Sequence, residues 1–348
     1  MKIGKKAISL ENPPYIIAEI GTNHNRSLEI AKKLIDVAAS CKADAVKFQI
    51  YEPEDIVNPS ILSKEYGFQR IYKEKYVIDI FEKYLKTPKS WIPKLSEYAR
   101  KKKLDLVAAV HSSRDARFIL GHNFDALKIA SMELSNTVLL KQIAEITDKP
   151  VILSTGMSLL PEIVKAVKIF KENDKHSALL HCVSVYPPKF EEMHLNNIKV
   201  LSSMFDIPVG YSDHSPTNES VFSAIALGAR IIEKHITLDR KSPGPDHPFA
   251  LEKEGLKDLV EGCRNIFYAL GQDQFNPPSK RELANRDLSR KSIVASKDIK
   301  AGERISKTFL TFARPGTGIQ PADIKQVEGK AAKKAIKKGA LVSWDHIR

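Results

Sequence analysis

Cysteine is scarce: Cys41, Cys182 and Cys263 are the only three in 348 residues. An odd number without metal-ligand spacing argues against a disulfide framework and fits a reducing compartment, so a cytoplasmic protein is expected. No apolar run approaches the roughly 18 residues a membrane span needs. The N-terminal stretch MKIGKKAISLENPP has no apolar core of the signal-peptide kind, so neither a secretory signal nor a membrane partner is expected. No internal repeat or low-complexity tract is evident. What remains is 43% hydrophobic, enough for a sizeable core, and 348 residues suggest two domains or one large one with an appendage.

Acidic residues are thin at one end. From Ser289 to Arg348 there are 14 Lys/Arg against 5 Asp/Glu, so this stretch carries +9 of the +13 net charge. It has no aromatic-interleaved RNA-binding signature and no zinc spacing. Its basicity therefore reads as solvated surface or attraction for small anions, and no nucleic-acid partner is expected. The lysine-rich AAKKAIKKG (331–339) reads as a solvated helical face or turn. The run Arg100–Lys103 closes a helical stretch, where cations suit the dipole.

Eight apolar runs punctuate the first 270 residues: 15–21, 43–49, 104–110, 125–131, 150–156, 176–183, 207–214 and 229–236. Most are apolar throughout, as strands covered on both faces should be. Helical patterns separate them, the clearest being 27–41, with Ser27 as its N-cap. Eight such units in about 250 residues predict a (β/α)8 TIM barrel. A doubly wound sheet is the alternative, but no glycine-rich nucleotide fingerprint follows the first strand. The predicted barrel spans 1–270. A polar linker, 271–290, contains Pro277-Pro278. Residues 291–348, with short β-like runs and Gly/Pro turns, predict a small β-rich domain. The insertion between Tyr51 and Lys103 is expected to form a loop over the barrel mouth and then a helix.

The strand ends carry the chemistry. In a barrel, the C-terminal ends of the strands build the active site. Here they hold Glu19, Asn23 and His24; Lys47 and Gln49; Lys128, Ser131 and Glu133; Ser154 and Thr155; Ser184 and Tyr186; Ser212, Asp213 and His214; and Glu233, Lys234 and His235. Buried charge without a partner is costly, so its concentration at one end of five strands points to function. Two lysines with Ser131, Ser154, Ser184 and Ser212 as short donors describe a phosphate site. His214 and His235, on adjacent strands at one level, suit a divalent metal acting as Lewis acid, Mn²⁺ first and Mg²⁺ or Co²⁺ as alternatives.

These residues resemble the sialic acid synthase family, which condenses phosphoenolpyruvate with an N-acetylated hexosamine to form nonulosonic acids. The resemblance rests on IIAEIGTNHN, ADAVKFQ, ILSTGM, LHCVSVYPP, GYSDHS, ALGARIIEKHITLD and PGPDH, in order. RKSIVASKDIKAGE and FARPGTGI resemble the family's antifreeze-like (SAF-type) C-terminal domain. It implies metal on His214 and His235, and phosphoenolpyruvate among Lys47, Gln49, Lys128, Ser131, Ser154, Ser184 and Ser212. Glu19 would be the acid/base. Glu133, Tyr186 and Asp246 would face the sugar. Arg314 would reach the N-acyl group from the partner chain of a domain-swapped homodimer.

Three departures stand out. The third strand ends Ala108-Ala109-Val110-His111 where relatives place a Ser-Thr-Pro-Phe-like stretch. A phosphate contact is therefore lost or supplied by His111 or Ser112. Position 184, often Asn, is Ser, and the usual Ser-Gly-Glu is Ser131-Met132-Glu133. The HITLD and PGPDH stretches look more like the sialic and legionaminic branches than the pseudaminic one. Two other readings remain: a phosphoenolpyruvate-dependent metal aldolase using another aldehyde sugar or sugar phosphate, and a non-enzymatic carbohydrate- or nucleic-acid-binding protein.

Overall fold

Eight strands close into a parallel barrel, each pairing with its neighbours in chain order and the last with the first. They are β1 Tyr15–Glu19, β2 Ala45–Ile50, β3 Asp105–Val110, β4 Ala126–Ile129, β5 Val151–Ser154, β6 Ser177–Cys182, β7 Val209–Asp213 and β8 Ile231–His235. The helices between and after them are α1 Leu28–Ser40, α2 Ile92–Lys101, α3 Ser113–Leu120, α4 Thr137–Ile146, α5 Leu160–Glu172, α6 Asn197–Met204, α7 Glu219–Ala226 and α8 Lys253–Leu270. This computed structural model describes residues 1–271 and 274–348 and divides into two compact units, Met1–Gly271 and Gln272–Arg348. None of its helices is long and apolar enough to cross a membrane.

The periodicities explain the layers. In α1, Ala31, Leu34, Ile35 and Ala38 form one buried stripe, and the Ser27 hydroxyl accepts the Ile30 N–H at 3.4 Å, as an N-cap should. The outward residues of the strands pack against such stripes in one continuous shell. The inward residues of the lower barrel, Tyr15, Ile17, Ala45, Val107, Ala126, Ile152, Ala178, Leu180 and Ile231, make a second apolar cluster, closed below by Ile3 and Ile8.

The insertion after β2 is more ordered than a loop: short helical turns at Pro53–Asp55, Ser63–Tyr66 and Phe68–Arg70 precede Val77–Leu85 and α2. Arg114 pairs with Asp55 at 2.7 Å and Lys89 with Asp115 at 2.6 Å, fastening the insertion to the segment that follows β3.

The second unit has its own core of Ile293, Ala295, Ile299, Ile305, Ile319, Val327, Ala332, Ile336, Val342 and Ile347. Its regular strands are β9 Ser292–Ala295 and β10 Leu310–Ala313, an antiparallel pair. Residues 272–273 of the expected linker lie outside the described residues. Further along, Lys280–Ser289 form a helix, α9, capped by the Ser279 hydroxyl and with no buried residue. Its polarity conceals it from hydrophobic periodicity. The stretch 331–339 is not helical: Ala332 and Ile336, four apart as on a helix face, are buried in extended bridges to Ile347 and Ile299, and the lysines between them are exposed.

Candidate active site

Alternation along the strands lifts a polar layer directly above the apolar floor. Pairing registers place Gln49 beside Ala109, Ala109 beside Lys128, Cys182 beside Ser212, Ser212 beside Glu233, and His235 beside Glu19. Above them opens a cavity of about 110 Å³ lined by Lys47, Gln49, Ala109, His111, Lys128, Ala130, Ser131, Met132, Ser154, Met157, Cys182, Ser184, Tyr186, Ser212, His214, Glu233 and His235.

Its base is an ion-pair network. Lys47 Nζ stands 3.0 Å from Glu19 Oε2 and 3.1 Å from Glu233 Oε1; Lys128 Nζ is 3.7 Å from the same Glu233 oxygen and donates to Ser154 Oγ at 2.5 Å. Gln49 donates to Glu19 Oε1 at 3.1 Å, and Ser212 Oγ to Glu233 Oε1 at 3.0 Å. The two glutamates titrate apart. Burial pushes Glu19 up to about 7, aided by the nearby Glu233 charge and resisted by Lys47. Burial also acts against ionised Glu233, but Lys128 and Lys47 together hold it down at about 2. Two carboxylates thus share one lysine, one ready to hold a proton and one permanently charged.

On one side are the hydroxyls of Ser131 and Ser184. Gly156 N–H donates to Ser131 Oγ at 3.1 Å, and a Cβ at Gly156 would collide with both hydroxyls. The two imidazoles of the cavity lie 5.5 Å apart between ring centres. His214 Nδ1–H donates to the Val183 carbonyl at 3.0 Å, which leaves Nε2 as the ring nitrogen not bonded to the backbone. His235 Nδ1 is buried without a hydrogen-bond partner, 3.6 Å from Asp246 Oδ2. Burial, with the neighbouring His214 and Lys47, holds His235 well below the ordinary imidazole range; burial acts the same way on His214, but the Cys182 thiol and the Val183 carbonyl outweigh it and raise that ring. Phe249 packs edge-on against both and, tilted, against Tyr186. Asp246 accepts from Thr22 Oγ1 at 3.0 Å. Gly21 crosses above at φ +51°, where a Cβ would press on Glu19 and Asp246 at 3.1 and 3.2 Å.

The run Glu233-Lys234-His235 is resolved by the two-residue period. Glu233 and His235 face the cavity. Lys234 points outward, wholly buried, paired with Asp213 and donating to the carbonyls of Ser215 at 2.5 Å and Thr217 at 2.8 Å. It ties the loop carrying His214 to the strand carrying His235.

Compared with known proteins, residues 34–275 match the model of the NeuB family. The chain belongs to the NeuB family. Residues 290–348 match the SAF domain. The chain is similar to the N,N'-diacetyllegionaminic acid synthase of Campylobacter jejuni serotype O:2, 37% identical over 94% of this chain and 98% of that one. It is similar to the pseudaminic acid synthase of the same strain, 34% identical over 97% of each. Among solved structures it resembles the N-acetylneuraminic acid synthetase of Leptospira borgpetersenii serovar Hardjo-bovis in complex with citrate, at TM-score 0.72 and 33% identity, over 82% of this chain and 95% of that one.

Of the family-type positions, Lys47, Gln49, Lys128, Ser131, Ser154, Ser184, Tyr186, Ser212, His214 and His235 line one cavity, with Glu19 bonded to Lys47 and Gln49. Glu133 joins through His111 at 3.3 Å and Asp246 through His235. Arg314 lies in the second unit, exposed. Several strand-end residues turn out to be fasteners. Asn23 donates to the Ile236 carbonyl, His24 meets Thr87 Oγ1 at 3.0 Å, Thr155 donates to the Leu180 carbonyl, and Asp213 pairs with Lys234. His247 accepts from Thr237 Oγ1 and donates to Asn25 Oδ1. Burial lowers both His24 and His247 to about 4, fixing them as neutral pins. Cys182 and Gly156 escaped the sequence reading. Cys182 was signalled by its position two residues before Ser184; Gly156 had no signal short of its neighbours' coordinates.

Proposed function

We propose that this NeuB-family chain is a nonulosonic acid synthase. It condenses phosphoenolpyruvate with an open-chain N-acetylated hexosamine, N-acetylmannosamine or a 2,4-diacetamido hexose, and releases phosphate. The supporting observation is the single polar layer in which two lysines and four serines adjoin two imidazoles and a proton-holding glutamate. Lys128, Ser131, Ser154 and Ser184 supply a cation and neutral donors for the phosphate. Lys47, Gln49 and Ser212 hold the carboxylate end, and positioning of this kind converts a bimolecular step into an effectively unimolecular one.

His214 and His235 would hold a divalent metal, Mn²⁺ in our assignment, through imidazole nitrogens, any proton on the binding nitrogen being released as the metal binds. Among the described residues no cluster of three or more His, Cys, Asp or Glu could hold a metal ion, so these two imidazoles are the protein ligands offered. When bound, it supplies Lewis-acid polarisation of the aldehyde oxygen. Carbon 3 of phosphoenolpyruvate attacks the aldehyde carbon, and protonated Glu19 gives its proton to the resulting alkoxide. Glu19, now a carboxylate, takes a proton from the water that adds at carbon 2. The tetrahedral intermediate then breaks the bond between carbon 2 and the phosphate oxygen, and its hydroxyl proton leaves with the phosphate as the ketone forms. Glu133, Tyr186 and Asp246 face the sugar.

The cavity lining holds no lysine or arginine beyond Lys47 and Lys128, which disfavours a phosphorylated acceptor. Residues 1–270 are read as the catalytic domain and 291–348 as a cap that brings Arg314 to the partner's site in a homodimer. Three unpaired buried cysteines suit the cytoplasm. The test is a panel of N-acetylmannosamine, its 6-phosphate and 2,4-diacetamido hexoses, each with phosphoenolpyruvate and Mn²⁺, read by mass spectrometry. A nine-carbon product from an unphosphorylated sugar is expected; no product from any of them contradicts the reading.

A further inference from the structure

The inward face of β3 differs from those around it. By alternation it presents Val107, then Ala109, then the residue just past its end, His111. Val107 belongs to the apolar floor. Ala109 sits between Gln49 and Lys128 and offers them only a methyl. His111 is therefore the first polar group that this strand brings to the cavity, and it shares the lining with Lys128, Ser131, Ser154 and Ser184.

Its ring is held at one end only. Nδ1 lies 3.3 Å from Glu133 Oε1, and the other Glu133 oxygen accepts from Asn136 at 3.0 Å. Tyr51 meets the ring edge-on. Among the described residues, Nε2 makes no hydrogen bond, although the side chain is almost wholly buried. The neighbouring hydroxyl is already used: Ser112 Oγ caps α3, accepting from Asp115 N at 3.2 Å and donating to Asp115 Oδ2 at 2.8 Å. Of the two side chains that could serve the phosphate from this strand, only His111 has a donor position to spare.

Of the two cavity lysines, Lys47 is shared between Glu19 and Glu233 and Lys128 also faces Glu233, so a dianionic phosphate has use for a further donor beside them. A ring whose Nδ1–H faces a carboxylate donates from Nε2 when it carries both protons, the arrangement in which it would bridge Glu133 and a phosphate oxygen.

The geometry points to His111 as the contact β3 makes with the phosphate of phosphoenolpyruvate: Glu133 holds Nδ1 and the phosphate accepts from Nε2. This inference rests on the synthase reading above. It assigns to one side chain a task otherwise left to hydroxyl donors, and makes Glu133 a positioning residue as well as a sugar contact.

The experiment compares wild type, His111→Gln and His111→Ala. Phosphoenolpyruvate binding is measured by calorimetry without acceptor, and KM is measured for both substrates. His111→Ala should weaken phosphoenolpyruvate roughly 10- to 100-fold, the range for one charge-assisted hydrogen bond. The acceptor KM should change far less, since Asn136 still holds Glu133 on the sugar side. His111→Gln, which keeps a donor, should recover part of the loss; thermal unfolding confirms that it is folded and carries the test if the alanine variant is not. Undiminished phosphoenolpyruvate affinity in the folded variants overturns the inference while leaving the synthase reading intact. A rise confined to the acceptor KM also overturns it, placing His111 on the sugar side. A wild type that neither binds nor consumes phosphoenolpyruvate removes the synthase reading and this inference with it.

Discussion

Two levels of one barrel, built by the same eight strands, obey opposite rules. The floor is Tyr15, Ile17, Ala45, Val107, Ala126, Ile152, Ala178, Leu180 and Ile231, all apolar. One step up stand Glu19, Lys47, Lys128, Ser154, Ser212 and Glu233, with His235 above Glu233, nearly as buried and all polar or charged, while β3 and β6 bring Ala109 and Cys182 to this level. The floor gains stability from removing hydrocarbon from water, about 1.5–3 kcal/mol for each large side chain. The upper layer spends stability, because desolvated charges are offset only in part by pairing with one another. One level holds the barrel closed, and the other is where we propose that binding and reaction take place.

Substitutions should therefore separate the two levels. The largest effect is expected at the imidazoles: His214→Ala or His235→Ala should lower kcat/KM by at least about 10³-fold, several kcal/mol of transition-state stabilisation, with little change in thermal unfolding. Chelation should do the same and Mn²⁺ should reverse it. On the floor, Ile152→Ala should cost about 2–5 kcal/mol of stability, read from denaturant unfolding, and leave both KM values near wild type.

A smaller change is expected at the phosphate site. Lys128→Met should raise the phosphoenolpyruvate KM roughly 10- to 100-fold and the acceptor KM far less; equal effects would blur the assignment of this end of the cavity to phosphate. Next comes pH. Glu19 is protonated below about 7, and the mechanism needs that proton for the alkoxide, so the rate should fall as pH rises through 7. The sign for stability is the same. A carboxyl whose folded pKa is raised contributes stability that is full below the ordinary carboxylate range and is lost as pH climbs through about 7. Glu19→Gln should abolish that limb of the unfolding profile. The smallest signal is complementation: mixed Arg314→Ala and His235→Ala chains should recover roughly a quarter of wild-type activity, since half the dimers carry one intact site of two.

The same contrast shows what the sequence made legible. Floor and upper layer both follow from alternation: once the eight runs were placed, Lys47, Lys128, Ser154, Ser212, His214 and His235 had to face inward at one height. Which of them pair did not follow, because the link of Lys47 to both Glu19 and Glu233 depends on β8 closing against β1, a neighbour relation absent from chain order. His24 resembled a site residue because a buried polar pin and a catalytic group leave the same trace in a sequence, whereas alternation alone turns Lys234 away from the cavity toward a neighbouring acid, as its pairing with Asp213 bears out. The second unit was less legible. Its helix α9 has no apolar stripe, and Ala332 and Ile336 repeat at four residues although their backbone is extended.

The central claim is that the upper layer adds water at carbon 2 of phosphoenolpyruvate only after a new carbon–carbon bond forms. The direct measurement is turnover in H₂¹⁸O with phosphoenolpyruvate, Mn²⁺ and the accepted sugar, with the released phosphate analysed by mass spectrometry. The account predicts phosphate that carries no ¹⁸O and appears only when the sugar is present. Labelled phosphate, or release without the sugar, would mean attack at phosphorus and would contradict it.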